Sequence, residues 1–457
     1  MFKLSIVSFL CLSVGYFWVG NAVAQIAPAS QPAAGRLGGR GGRGAAALQD
    51  QNQPPADSLP REWIDKDTGH RVIRLSTENG SASLYFHYNG YSADGKKLVF
   101  TSPSGISEVD LTTFKVEVVV PGQRSIIETG RKTNEVFYTN NGAVYAADLY
   151  THAVRKVVDL PGGGGRGGGV SAVNCDQTLF GGTIMATDPT GATTKPAPRV
   201  ILPQLQRMFP GKTMEQLTPD QQHAVTKEDG LARRLTNPDS YAIFTVDAKT
   251  GKTSRFGYAY AWLNHLQFSP TDPNQIMFCH EGTWHENDRV WTIRTDGTGL
   301  KLMHARTMDM EIAGHEFFGA DGKWIWFDLQ TPRSQVFWIG GVNLASGQEV
   351  RYHVEQNQWG VHYEVSHDGK MFSSDGGDPT QVAFCKDGQW MNLFRVQPDG
   401  TLKHERLVNM AKQDYLGNNG EPNGTFSPDD KYVIFRSNIL GPMHVFAVEV
   451  EKSKLPG

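Results

Sequence analysis

Short apolar runs follow turn residues again and again along this chain. Seven segments share the form: "YSADGKKLVFTS" from 91, "TGRKTNEVFYTN" from 129, "VNCDQTLFGGTI" from 173, "FSPTDPNQIMFCHE" from 268, "FGADGKWIWFDL" from 318, "VSHDGKMFSSDG" from 365 and "FSPDDKYVIFRSN" from 426. Between them lie second hairpins with Asp/Thr/Gly turns, such as "ISEVDLTTFKVEVVV" and "RVWTIRTDGTGLKLMH". Alternating apolar positions bounded by such turns predict β-strands. Two hairpins per unit make a four-stranded antiparallel blade, and units spaced roughly 40–60 residues apart read as propeller blades. The fold class is therefore all-β: a seven-bladed β-propeller over 58–457. The strand "HRVIRLS" at 70–76 has no partner before the first unit. It is expected to complete the last blade beside "MHVFAVEVE" and so remove the open sheet edges.

One step breaks the spacing. Residues 186–238 carry helix formers, Pro stops and the helix start "TPDQQ". A short helical insertion is expected there, placed to wall or cap a central cleft.

The N-terminus has a different pattern. Met1–Lys3 is a short basic start, Ile6–Val19 is mostly apolar and too short to span a bilayer, and Ala22-Val23-Ala24 offers an A-x-A cleavage site. Residues 1–24 read as a signal peptide for export to the periplasm or medium. Residues 25–57, rich in Gly, Ala, Arg and Pro, cannot bury a core and read as a disordered linker. No further apolar run predicts a membrane span. The net charge of −3 gives no basic excess for nucleic acid. Beyond the apolar leader, Cys175, Cys279 and Cys385 lie far apart without a C-x-x-C, which predicts buried free thiols. A monomer or weak oligomer is expected.

Polar residues recur a few positions upstream of the blade turns: Tyr85 and His87; Asn264, His265 and Gln267; His315 and Glu316; His362 and Glu364; Asn418, Glu421 and Asn423. Equivalent places in successive blades converge near a propeller axis, so these side chains are candidates for one shared site. "FCHEGTWHEND" at 278–288 is not H-E-x-x-H and follows a β-run, so no helix face is available there to chelate zinc. It is expected to turn from an inner strand toward the site, with His280 and Trp284 as substrate contacts and Arg289 as a nearby cation.

"HLQFSPTDPNQIMFCHEG" followed by "GHEF" resembles the oligogalacturonate lyases, the seven-bladed propellers of polysaccharide lyase family 22. The resemblance implies β-elimination on uronic-acid oligosaccharides such as short pectin fragments. A base removes the C5 proton, and the C4–O bond breaks to leave an unsaturated uronate. Carried over residue by residue, the base falls on His265 and the first metal-ligand histidine on His315. The other ligand positions fall on Asn418, Glu421 and Asn423, where the family's run has Gln, His and His. The implied cofactor is a divalent metal, Mn2+ by resemblance, with Ca2+ or Mg2+ open given the oxygen-rich set. The family's carboxylate-binding arginine has no counterpart, since Tyr241 and Ala242 occupy its neighbourhood; Arg233, Arg234 and Arg289 are the substitutes, with Arg234 placed in the catalytic set. Tyr85, His87, His280, Trp284, Arg289 and His362 are the expected substrate-binding residues. The alternative is a non-catalytic periplasmic propeller that binds a protein or glycan partner, as translocation-type propellers do. A hydrolase on Glu316 and Glu421 would give no unsaturated end. No G-x-S-x-G accompanies the propeller, which argues against a peptidase.

Overall fold

The computed structural model describes residues 53–160, 169–196, 203–236, 239–260, 262–376, 383, 385, 389–415 and 420–452. The expected signal peptide and nearly all of the expected linker lie outside these residues.

Seven antiparallel sheets follow one another along the chain. Blade 1 is Ala82–Ser83, Lys97–Ser102, Gly105–Asp110 and Val116–Pro121. Blades 2 and 3 begin with inner strands Ser125–Thr129 and Gly169–Val173, blade 4 with Trp262–Phe268, blade 5 with Ile312–Phe318 and blade 6 with Tyr363–Val365. Blade 7 begins at Thr425–Phe426 and is closed from the other end of the chain. Its strand His444–Glu449 pairs with Arg71–Arg74, which pairs in turn with Glu62–Ile64. The seven-bladed ring and its closing strand are as the repeat predicts, with one additional outer strand.

The core explains why the blade strands read as nearly continuous apolar runs. Each sheet buries both faces, one against each neighbouring blade, so alternation separates two partners rather than core from water. A separate apolar cluster fills each of the seven junctions. Val99, Ile106, Val136 and Ala147 join blades 1 and 2, for example, while Ile73, Leu98, Phe100, Ile434 and Val445 join blade 7 to blade 1. Ile73 is 1% exposed in that last junction. Ile73→Ala is expected to cost about 2–5 kcal/mol through the cavity it leaves. Val154→Ala, at an outer strand position 51% exposed, should stay within about 0.5 kcal/mol of the parent. Urea unfolding midpoints check both.

The insertion leaves blade 3 between its second strand, Leu179–Met185, and its third, Tyr241–Asp247, which pair directly with each other. Its described part holds helices α1 (Gln204–Met208) and α2 (Pro219–Thr236). α2 reaches across to blades 4 and 5. Leu231 packs with Trp284 and Ile312, and Glu228 accepts a buried hydrogen bond from Arg333 at 3.0 Å. Arg207 of α1 pairs with Asp309 at 2.8 Å and with Glu286. The insertion thus covers the loops between the second and third strands of blades 4 and 5 and the loop that feeds the inner strand of blade 5.

Candidate functional site

Three inner strands present a side chain from the same irregular position. His265, His315 and Asn423 each stand three residues before the phenylalanine that precedes a blade turn, Phe268, Phe318 and Phe426. Each has a left-handed backbone, with φ of 49°, 46° and 54°. Strand pairing slips at the first two, between Asn264 and Gln267 and between Gly314 and Phe317. Such bulges re-aim a side chain at the expense of local strain, and strain of this kind clusters at functional sites. His362 occupies the same place in blade 6, three residues before Val365.

These positions converge at the hub. The His315 and His362 rings meet edge to face with centroids 4.7 Å apart. The Tyr85 ring lies 5.2 Å from His362, 5.7 Å from His265 and 4.8 Å from His87. His87 is 5.4 Å from His265. Three histidines from three blades therefore surround one tyrosine, and His315 from a fourth blade joins them through His362.

Each hub imidazole has its own electrostatic setting. His265 Nδ1 lies 3.3 Å from Glu316 Oε1, a fully buried carboxylate. Burial pushes the Glu316 carboxyl up, but His265 and the Arg289 guanidinium outweigh it and hold Glu316 below the usual carboxylate range. His315 Nδ1 bonds Asp328 Oδ1 at 2.9 Å. Burial, then neighbouring His362 and His265, keep His315 far below its ordinary value, so the ring is neutral. Burial raises Asp328 to about 7. His362 Nδ1 bonds Asp375 Oδ2 at 2.5 Å. Burial opposes the charged form of His362, yet Asp375 and Glu421 together raise it above its ordinary value. His87 is lowered by burial and by His265, and neither ring nitrogen has a protein partner.

Behind the hub, Arg289 is 1% exposed. Its Nη1 bonds Glu281 Oε1 at 3.1 Å, and Trp284 stacks on it at 4.1 Å. Burial would push the Glu281 carboxyl up, but Arg289 and then His265 hold it low. Trp284 also lies 4.9 Å from the His315 ring. It fits there because residue 314 is glycine: a Cβ at Gly314 would stand 1.9 Å from Trp284 Cζ3.

Several sequence expectations need correction in place. Trp284 is 4% exposed beneath α2, so it packs the wall of the site and offers no open face to a sugar. Arg289 is sealed under Trp284 and faces the Glu281 and Glu316 carboxylates rather than an open surface. His280 faces Phe278 and Trp291 inside blade 4, with centroids at 5.5 and 5.1 Å, and burial lowers it to about 4; it does not join the hub. Asn423 is committed to the scaffold. Its Oδ1 accepts from Phe86 N at 3.2 Å and its Nδ2 donates to the Glu421 carbonyl at 2.9 Å. Glu421 does reach the hub, with Oε2 3.9 Å from His362 Nε2. Asn418 and the side chain of Arg234 lie outside the described residues, although position 234 is within α2. Tyr85, His87, His265, His315 and His362 are brought together.

Sequence reasoning missed Asp328, Asp375 and Arg436. The signal for the first was a lone carboxylate in an apolar run, "WIWFDLQ". Arg436 donates from Nε to the Glu421 carbonyl at 2.8 Å and so fixes the chain that carries Glu421.

The donor types at the hub, His315 with a carboxylate behind its Nδ1 and the Glu421 carboxylate, suit a hard or borderline divalent cation. Among the described residues, three His, Cys or carboxylate donors lie within 4.8 Å of one another only at Glu108, Glu117 and His152. That group is already neutralised: Lys97 Nζ is 2.6 Å from Glu108 and Lys115 Nζ 2.7 Å from Glu117. Among the described residues the hub therefore offers no closed three-donor cage, and His315 and Glu421 are its donors of suitable type.

Comparison with known proteins agrees with the resemblance read from the sequence. Residues 231–454 match the model of a family described as oligogalacturonate lyase. The oligogalacturonide lyase of Pectobacterium atrosepticum is 25% identical over 230 residues, 48% of this chain and 58% of the relative. The oligogalacturonate lyase of Dickeya dadantii is 26% identical over the same shares. The chain thus aligns with somewhat over half the length of these curated relatives. Among solved structures, an oligogalacturonate lyase in complex with manganese superposes with a TM-score of 0.66 at 20% identity, covering 86% of this chain and 96% of the other. The oligogalacturonate lyase from Vibrio parahaemolyticus gives 0.66 at 19% with the same coverage. These two structures establish the shared fold.

Proposed function

We propose that this chain, similar to the oligogalacturonate lyase family over residues 231–454, cleaves uronic-acid oligosaccharides by β-elimination, with His265 as the base. One observation carries the reading: His265 stands at the hub, re-aimed by a bulge, with its Nδ1 against buried Glu316 at 3.3 Å. A carboxylate 3.3 Å from one ring nitrogen steadies, by its charge, the cation formed when the other nitrogen takes a proton. The neighbouring imidazoles of His315 and His87 are held neutral, so they place no competing positive charge beside the base.

In this mechanism the uronate ring enters the hub with C5 toward His265. The C5–H pair becomes the C4=C5 double bond, and the C4–O bond breaks. His315 and Glu421 are the residues that would hold a divalent cation. Bound there, the cation would supply the positive charge that offsets the uronate carboxylate and makes its C5 proton removable. Export of the protein is part of the same proposal. Cleavage after Ala24 would give a mature N-terminus at Gln25, read by intact-mass measurement of the protein recovered outside the cytoplasm.

The test follows ultraviolet absorbance of the conjugated enoate during incubation with oligogalacturonides and other uronides. Absorbance is expected to rise, to slow after chelation and to recover with added manganese. No rise on any uronide, together with tight retention of a glycan or envelope protein, would replace the lyase with a binding propeller.

A further inference from the structure

Elimination needs more than a base. The C4 oxygen departs from the carbon next to C5, and an alkoxide is a poor leaving group unless it is protonated as it goes. Tyr85 is placed for this. Its hydroxyl lies 3.3 Å from His362 Nε2, and His362 Nδ1 lies 2.5 Å from Asp375 Oδ2. Asp375 is fixed in turn by the backbone N–H groups of His362 and Val361, donating to its Oδ1 at 3.1 and 3.3 Å. The result is a Tyr–His–Asp line built from blade 1, the entry to blade 6 and the end of that blade's second strand. Its tyrosine ring is 5.7 Å from the His265 ring, so phenol and base are neighbours, as groups acting on adjacent carbons of one sugar must be.

Resting on the elimination reading above, we propose that Tyr85 is the acid of the reaction, giving its phenolic proton to the departing C4 oxygen, and that His362 and Asp375 form the relay that restores it. His265 takes the C5 proton and the electron pair forms the C4=C5 bond. The C4–O pair leaves with oxygen, which receives the Tyr85 proton. The phenolate then takes the Nε2 proton of His362, and exchange with water returns His265 and His362 to their starting states. No oxidant or reductant is needed. A phenol carries its proton at neutral pH, so the hydroxyl is available as a donor. Tyr85 lies outside the stretch matched by the family model.

Two substrates test the assignment. One is an oligogalacturonide; the other is a galacturonide with fluorine at C4, whose fluoride leaves without a proton. Tyr85→Phe is expected to lower the oligogalacturonide rate by about 10²–10⁴-fold while fluoride release stays within a factor of a few. Fluoride release by the variant also shows that it has folded. His362→Gln should show the same leaving-group dependence with a smaller loss. Equal losses on both substrates, or no loss on either, would overturn the acid role. If the parent protein forms unsaturated product from neither substrate, the lyase reading itself fails.

Discussion

His265→Ala is expected to lower kcat/KM on oligogalacturonides by about 10²–10⁴-fold, with unfolding near that of the parent. The loss is chemical because the ring is the one hub imidazole set against Glu316, at 3.3 Å. His87, 5.4 Å away, has no carboxylate behind it to steady a proton. The structural cost is small because the side chain of His265 is 15% exposed and Glu316 keeps Arg289 as its counter-charge. Steady-state rates by enoate absorbance, with urea unfolding in parallel, check both halves. A variant that retains the parent rate would move the base elsewhere in the hub.

The second large effect is on stability. Arg289→Ala is expected to cost about 3–5 kcal/mol, because it leaves buried carboxylates uncompensated. The side chain of Arg289 is 0% exposed and that of Glu281 8%, and Glu316 lies within reach of the same charge. The change also removes the cation stacked 4.1 Å from Trp284, which packs against α2. Adding Glu281→Gln should recover part of the loss, since one of the stranded charges then disappears. Urea titration of the parent, single and double variants measures the coupling. A single variant within about 1 kcal/mol of the parent, the value of an exposed ion pair, would show that Arg289 is not the counter-ion of the site.

The blades could be read from the sequence because every hairpin carries its own turn signal, and closure followed from one strand too many at the start. The hub positions were legible for the same reason: residues 265, 315 and 423 keep a fixed distance from a repeated aromatic-turn mark, so a linear pattern encodes a circular one. Two kinds of information were not. Asp328 and Asp375 reach His315 and His362 from second strands thirteen residues onward in each case, a distance set by hairpin length rather than by a local motif. His280 shows the other gap. In a strand one step flips the side chain to the opposite face. His280, opposite Leu263, faces Trp291, while the adjacent Glu281 meets Arg289 and Asn264. The sequence reading chose His280 over Glu281, and only the register shows which of them faces the hub. The burial of Arg289 and Trp284 also depends on α2, whose path across blades 4 and 5 no periodicity reveals.

The most direct measurement is a crystal structure of the His265→Ala protein with an intact oligogalacturonide bound. A uronate ring is predicted at the hub between Tyr85 and position 265, with C5 facing the space vacated by the imidazole and the C4 oxygen within hydrogen-bond reach of the Tyr85 hydroxyl. A sugar bound away from the hub, or one whose C5 faces no side chain able to accept a proton, would contradict the account.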